Sequence, residues 1–433
     1  MIRSRIEQVQ AWEALDSRGR PTVAARVQLA GGATGTTRVP SGASAGSHEA
    51  KELRDGGDRY QGYGVRAAVA GVTEVIAPAV IGLDAAELIT VDAAIADAQQ
   101  DAGEDRVGAN STLAVSIASA LAAAAEAGTD LARWLAGDGP LQLPLPMINI
   151  VSGGAHAGSA IDLQDFLVVP HGADSFAEAI EWAQAVRQRA TEVAQRRGFA
   201  EAVLVADEGG LGLRLDSNEA AIGLVVEAIE AAGLTPGEQA SVAIDAAATE
   251  FYADGAYHLA AEGRVLAAEE LITDYAGWLD RYPIVSIEDP LAEDDWAGWQ
   301  LITERLAGRC DLIGDDLFVT QRDRLDRGIA EHCGTSILIK VNQNGLLSRT
   351  QDVIRAAQQA GFRTVVSARS GETEDAWVAD LAVGWRAGQL KVGSTHRSER
   401  TAKWNRVLEL EATTDTTFAH PFPGAAEGSV RLA

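Results

Sequence analysis

Apolar and polar positions change their rhythm near residue 141. Before it, strand-like pieces such as PTVAARVQLA (21–30) and ATGTTRVP (33–40) alternate with helical stretches at 67–81 and 111–127, which predicts an α+β unit. From Leu143 onward, apolar runs of strand length recur with helical segments between most of them, as in βα units that build a parallel sheet or barrel. One helix is specified in detail. Asp216 and Glu219 form a capping box, Ile222, Val225, Val226 and Ile229 share a face, and Gly233 offers a stop. No repeat or long linker interrupts the chain, so the LQLPLP segment (141–146) separates an expected domain at 1–140 from one at 141–433.

Length agrees with two domains, since 433 residues exceed what one small core organises. With 36 basic against 62 acidic residues the formal charge is −26, which repels a nucleic-acid backbone and an anionic membrane. Neither is an expected partner. A small anion remains compatible where the site itself gathers lysine, arginine or metal. Cys310 and Cys333 lack a CxxC spacing, so no disulfide framework or zinc knuckle is indicated, a reducing cytoplasm fits, and both are expected to be buried. The first residues hold no apolar core of signal-peptide length, and the most hydrophobic stretch, 113–125, reads as a buried helix.

The apolar runs share a feature at their carboxyl ends. LVADEGG ends in Asp207 and Glu208, SVAID in Asp245, IVSIED in Glu288 and Asp289, DLIGDD in Asp315 and Asp316; then SILIK ends in Lys340, TVVSAR in Arg369 and QLK in Lys391. Any one of these could merely cap a following helix. Together they describe the mouth of a barrel, where such enzymes carry their catalytic groups. Asp245, Glu288 and Asp315, from three successive strands, offer hard oxygen ligands suited to Mg²⁺. A lysine beside that cation and a second ammonium is expected to have a lowered pKa and to act as a base toward a carbon-bound proton, while metal charge stabilises the resulting dianion.

These residues also carry a resemblance. DSRGRPTV, VPSGASAGSHEA, the GAN of 108–110, SGGAHAG, ADEGG, YPIVSIEDPLAEDDW, GDDLFVT, KVNQ, RSGETED and RSER occur in the order seen in enolases, over nearly the whole chain. The chain resembles that family. The resemblance implies an enolase-type modified (β/α)8 barrel with an N-terminal α+β capping domain, in a homodimer or homo-octamer. It implies Lys340 as the base at C2 of the substrate and Glu208 as the acid at C3, with His156, Asp165 and Gln164 beside them. It also implies Asp245, Glu288 and Asp315 on a first Mg²⁺, Lys391 on the substrate carboxylate, and Arg369 and Ser370 on its phosphoryl group. Ser44 would join a second Mg²⁺ that arrives with substrate as its loop closes. A Lys or His base with one or two Mg²⁺ ions is the general chemistry of that superfamily.

Two departures stand out. Enolases have histidine where this chain has Ala368, and glutamate where it has Asp165. Asn344 and Ala45 replace a usual apolar residue and a threonine. His396, not usually histidine in enolases, is a candidate stand-in for the missing ring. The leading expectation is reversible dehydration of 2-phosphoglycerate. The alternative is a paralogue of secondary metabolism acting on another phosphorylated or phosphonylated acid, similar to carboxyphosphonoenolpyruvate synthases; a non-catalytic binding protein comes third. The G-x-S-x-G match at 42–46 lacks the strand-to-helix context and partners of a hydrolase, and His48-Glu49 lacks the second histidine of a zinc protease.

Overall fold

The computed structural model describes residues 2–42 and 46–422. Its first part is an antiparallel sheet of β1 (Ile6–Leu15), β2 (Pro21–Leu29) and β3 (Thr34–Arg38), in that order. β2 and β3 are the runs seen in the sequence. β1 is not, because in IEQVQAWEAL only Ile6 and Val9 are buried and the apolar alternation is lost. A helical stretch from Arg66 to Val80 contains a π-helical turn at Val72–Ile76, ahead of Pro78, which has no N–H to close an ordinary turn. Two further helices follow, α1 (Leu88–Ala102) and α2 (Ala109–Glu126). The Ala-rich α2 is buried on every side from Ala109 to Ala120 and lies against β2 and β3. Gly35 permits that approach, since a Cβ there would sit 2.1 Å from the Ala118 carbonyl oxygen.

The second part closes on itself. Strands β4 (Leu145–Ser152), β5 (Asp165–Val169), β6 (Ser241–Asp245), β7 (Ile284–Glu288), β8 (Asp311–Gly314), β9 (Ser336–Ile339), β10 (Arg363–Ser367) and β11 (Gly388–Gly393) pair in sequence, and β11 returns to β4. The barrel is not wholly parallel, as the βα pattern alone suggests: β5 runs antiparallel to β4 and β6. The connection from β4 to β5 holds only a 3₁₀ turn, so β5 folds back instead of crossing over. Inside the barrel, Leu145, Met147, Leu167, Val169, Ala243, Ile313, Leu338 and Val365 form a small apolar floor.

Helix α3 (Phe176–Arg196) is capped by Ser175. In α4 (Asn218–Ala231) the cap is Ser217, not Asp216: its Oγ accepts from the Ala220 N–H at 3.1 Å, while Glu219 turns to Arg281 and Tyr282. Val226 is only partly buried, whereas Ile222, Val225 and Ile229 face the core as expected. Helix α5 (Leu347–Gln359) begins against the first domain. The last, α6 (Ser398–Thr413), runs from the RSER motif. Among the described residues no helix is long and apolar enough to cross a membrane.

Candidate active site

Side chains alternate inward and outward along a strand, so the residue two beyond an inward apolar one also points inward. Ala243 is followed in this way by Asp245, Ile313 by Asp315, Leu338 by Lys340 and Val365 by Ser367. Strand parity thus stacks a polar layer on the apolar floor at the carboxyl ends of the strands. This layer opens into about 370 Å³ of empty space lined by His156, Gln164, Glu208, Lys340, Arg369 and Lys391, among others.

The three expected metal ligands are all buried at this level, with 2–6% of their surface exposed. Two ammonium groups join them rather than one shared point. Lys391 Nζ bridges Asp245 Oδ2 at 2.6 Å and Glu288 Oε2 at 2.7 Å, and Lys340 Nζ lies against Asp315 Oδ2. Among the described residues the acidic groups with ligand atoms mutually within 4.8 Å are instead Asp289, Asp315 and Asp316, and the His156, Asp165 and Glu208 set. Asp289 is committed to the backbone, accepting from the Asp315 and Asp316 N–H groups at 2.9 and 2.7 Å, and so orients Asp315.

The electrostatics fit a further cation. Burial, with the charges of Asp245 and Asp315, pushes Glu288 well above the ordinary carboxylate range; burial also acts on Asp245, but Lys391 holds it below that range. One ammonium therefore does not neutralise the pair, and a set of buried hard oxygens is the donor chemistry that Mg²⁺ takes. The expected lowering of Lys340 is not what the protein groups produce by themselves. Burial favours its neutral form, yet the Asp315 carboxylate reverses this and holds Lys340 above an ordinary lysine.

On the opposite side, Asp165 is fully buried and bonds Asn149 Nδ2 at 2.5 Å and His156 Nδ1 at 2.8 Å, leaving His156 Nε2 3.7 Å from Glu208 Oε1. Burial by itself would lower the pKa of His156; the charges of Asp165 and Glu208 raise it to about 9. Burial would raise that of Glu208, but His156, Arg400 and the two lysines hold it below the usual range. The proton shared across this pair therefore rests on the imidazole. Glu208 itself does not end a strand: LVADEGG is a loop with Leu204 and Val205 exposed, and β4 pairs with Leu211–Gly212 just beyond it.

The first domain supplies the remaining wall. The turn at 16–20 docks on 370–372, with Ser17 N–H donating to the Glu372 carbonyl at 2.7 Å and Arg18 holding the carbonyls of Ser41 and Gly42. Ser41 pairs with Gly371, where a Cβ would sit 2.5 Å from Arg18 Nη2 and 2.7 Å from the Ser41 carbonyl oxygen, so the RSG motif needs its glycine. Arg369 is forked onto Glu49, at 2.9 and 3.3 Å. Ser370 stands beside it in the cavity wall. Residues 6–135 match the family model for the enolase N-terminal domain, and residues 140–424 match that for the enolase C-terminal TIM barrel domain. The chain belongs to the enolase family.

Where the chain departs from the enolase pattern, the structure separates the changes. Ala368 lines the cavity, so only a methyl group stands where enolases present an imidazole. His396 does not replace it. Its ring is exposed, contacts Thr395 Oγ1 at 3.4 Å and is absent from the cavity wall. Asn344 points elsewhere, donating to the Thr320 carbonyl at 3.0 Å. Ser44 and Ala45 lie outside the described residues. Cys310 and Cys333 are buried, and burial pushes their thiols up to about 12 and about 11.

Sequence reading assigned no role to three residues that shape the site. Arg400 is fully buried and donates to the carbonyls of Arg369 at 2.7 Å, Val392 at 3.0 Å and Ser370, which fixes the turn at Arg369 and Ser370. Glu49 and Gln343 link that turn to Asp315. RSER, HEA and KVNQ were visible as motifs, but only packing shows what they hold.

Proposed function

We propose that this protein is a Mg²⁺-dependent enolase-type lyase that removes the proton alpha to the carboxylate of a small phosphorylated acid, and that the reaction is the reversible dehydration of 2-phosphoglycerate to phosphoenolpyruvate. The observation that carries this reading is the pair of buried lysines facing three strand-end carboxylates inside one barrel mouth. Lys391 attracts the substrate carboxylate. Lys340, on the adjacent wall, takes the C2 proton once its amine is neutral. Asp245, Glu288 and Asp315 would hold Mg²⁺, which would supply charge to stabilise a carboxylate dianion and to offset the Asp315 charge that keeps Lys340 protonated. The proton for the departing C3 hydroxide comes from the His156–Glu208 pair, where His156 carries it. Arg369 and Ser370 hold the phosphoryl group, and Ser44 would join a second Mg²⁺ that comes with substrate. A homodimer or larger assembly belongs to the same reading.

A second reading has its own support in the cavity wall, where Ala368 presents only a methyl group beside Arg369 and His396 is absent from the described lining. A paralogue of the carboxyphosphonoenolpyruvate synthase type would keep the base and metal ligands while accepting a different group there. One experiment separates the two. Purified protein with Mg²⁺ and 2-phosphoglycerate is expected to form phosphoenolpyruvate; C2 proton exchange without loss of water would support the altered substrate, and neither result would refute both. In Lys340→Ala, C2 proton exchange should fall to background while Mg²⁺ affinity, followed by calorimetry, stays within about threefold, since the general base contributes on the order of a hundredfold or more.

A further inference from the structure

Gln343 sits one turn beyond Lys340 with its side chain fully buried. Its amide nitrogen donates to Asp315 Oδ1 at 2.8 Å and to Glu49 Oε1 at 3.2 Å. The orientation of the amide is fixed by chemistry: both carboxylates are acceptors, and on the other side Thr320 Oγ1, which already accepts from the Lys340 N–H at 2.9 Å, gives its own hydrogen to Gln343 Oε1 at 2.7 Å. The main chain repeats the link, since the Gln343 carbonyl accepts from the Ala50 N–H at 2.9 Å. Glu49 in turn forks onto Arg369 at 2.9 and 3.3 Å, and its side chain is only 9% exposed.

A continuous path therefore runs from Arg369 through Glu49, Gln343 and Asp315 to Lys340, crossing from the barrel to the first domain and back. We propose that Glu49 and Gln343 are positioning residues that register the anion-holding arginine against the base. The proposal rests on the functional reading above for what Arg369 and Lys340 do. Neither residue needs to touch substrate. Glu49 holds the guanidinium in a planar fork, and Gln343 prevents the Glu49 and Asp315 carboxylates, which would repel each other, from moving independently.

The distinguishing consequence is action at a distance. Among the described residues Gln343 makes no hydrogen bond to Arg369, and Glu49 makes none to Lys340 or Asp315. In the full chain with Mg²⁺, Gln343→Leu should weaken binding of inorganic phosphate, measured by calorimetry, and Glu49→Gln should slow C2 proton exchange of 2-phosphoglycerate, each by about tenfold. The double variant should be no worse than about twofold below the weaker single, as expected of coupled groups. Gln343→Glu, which keeps the shape and loses the donors, should repeat the loss seen with Gln343→Leu. Multiplying effects, or phosphate affinity unchanged in both Gln343 variants, would overturn the proposal. A parent protein that binds phosphate but exchanges no proton refutes 2-phosphoglycerate as substrate, and the phosphate measurement then decides the coupling alone. A parent that binds no phosphate removes the anion role of Arg369 and this proposal with it.

Discussion

His156 carries its proton because two carboxylates face it from opposite sides, and the nearer of them, Asp165, is one methylene shorter than the enolase pattern. The shorter acid still reaches Nδ1 at 2.8 Å because Asn149 holds its other oxygen. Asp165→Asn removes the stronger charge, so the His156 midpoint, followed by NMR of the ring, should fall from about 9 toward the ordinary imidazole value of about 6.5. The sign for stability follows from linkage. A raised histidine contributes stability that is complete below its unfolded pKa of about 6.5 and is lost as pH rises through about 9. Thermal midpoints of the parent should therefore decline across that window more steeply than those of Asp165→Asn; parallel curves would show that the pair is not an ion pair. Ala368 and His396 teach the opposite lesson, since two residues that look exchangeable in sequence face different spaces in the fold.

Elements decide which of many similar residues become functional. The strands β6, β8, β9 and β10 each carry an apolar side chain on the floor and a polar one two positions later, and this parity is readable from the sequence alone. The run LVADEGG carries the same lettering without being a strand, because β4 already pairs with β5, β11 and the short Leu211–Gly212 segment. Periodicity reports apolar content; it does not report a free pairing edge. Helix α4 shows a similar ambiguity at its start, where Asp216 and Ser217 are both good caps by type and backbone geometry selects Ser217. Ser217→Ala should cost about 1 kcal/mol, read as a lower urea midpoint, whereas Asp216→Ala should cost only a few tenths. A larger loss in Asp216→Ala than in Ser217→Ala would return the cap to Asp216.

The whole molecule places one domain over the mouth of the other, and specific contacts hold it there. The start of α5 is capped from the first domain: Asp92 Oδ2 accepts from the Ser348 N–H at 2.8 Å and Ser116 Oγ from the Leu347 N–H at 3.0 Å. Asp92 is 2% exposed, and burial raises its pKa despite these donors. Asp92→Ala should leave helix N–H groups without their partner and destabilise the protein by about 1–2 kcal/mol. Hydrogen exchange should then quicken in α1 and at the start of α5 while the barrel strands stay protected. Uniform loss of protection would mean that the two domains open as one unit.

By itself the sequence determined the class of fold, most of the later barrel strands and the identity of the acidic and basic groups that end them, because side-chain alternation and turn chemistry are local and survive in one dimension. The antiparallel second strand escaped it, since direction depends on whether a connection holds a helix able to cross over. The protonation of Lys340, His156 and Glu208 also belongs to tertiary structure alone: burial and the sign of the nearest charge decide it, and both are properties of neighbours distant in the chain. Glu49 and Gln343 lie 294 residues apart and share one hydrogen bond. No spacing rule joins such residues, so their link exists only once the first domain has closed over the barrel.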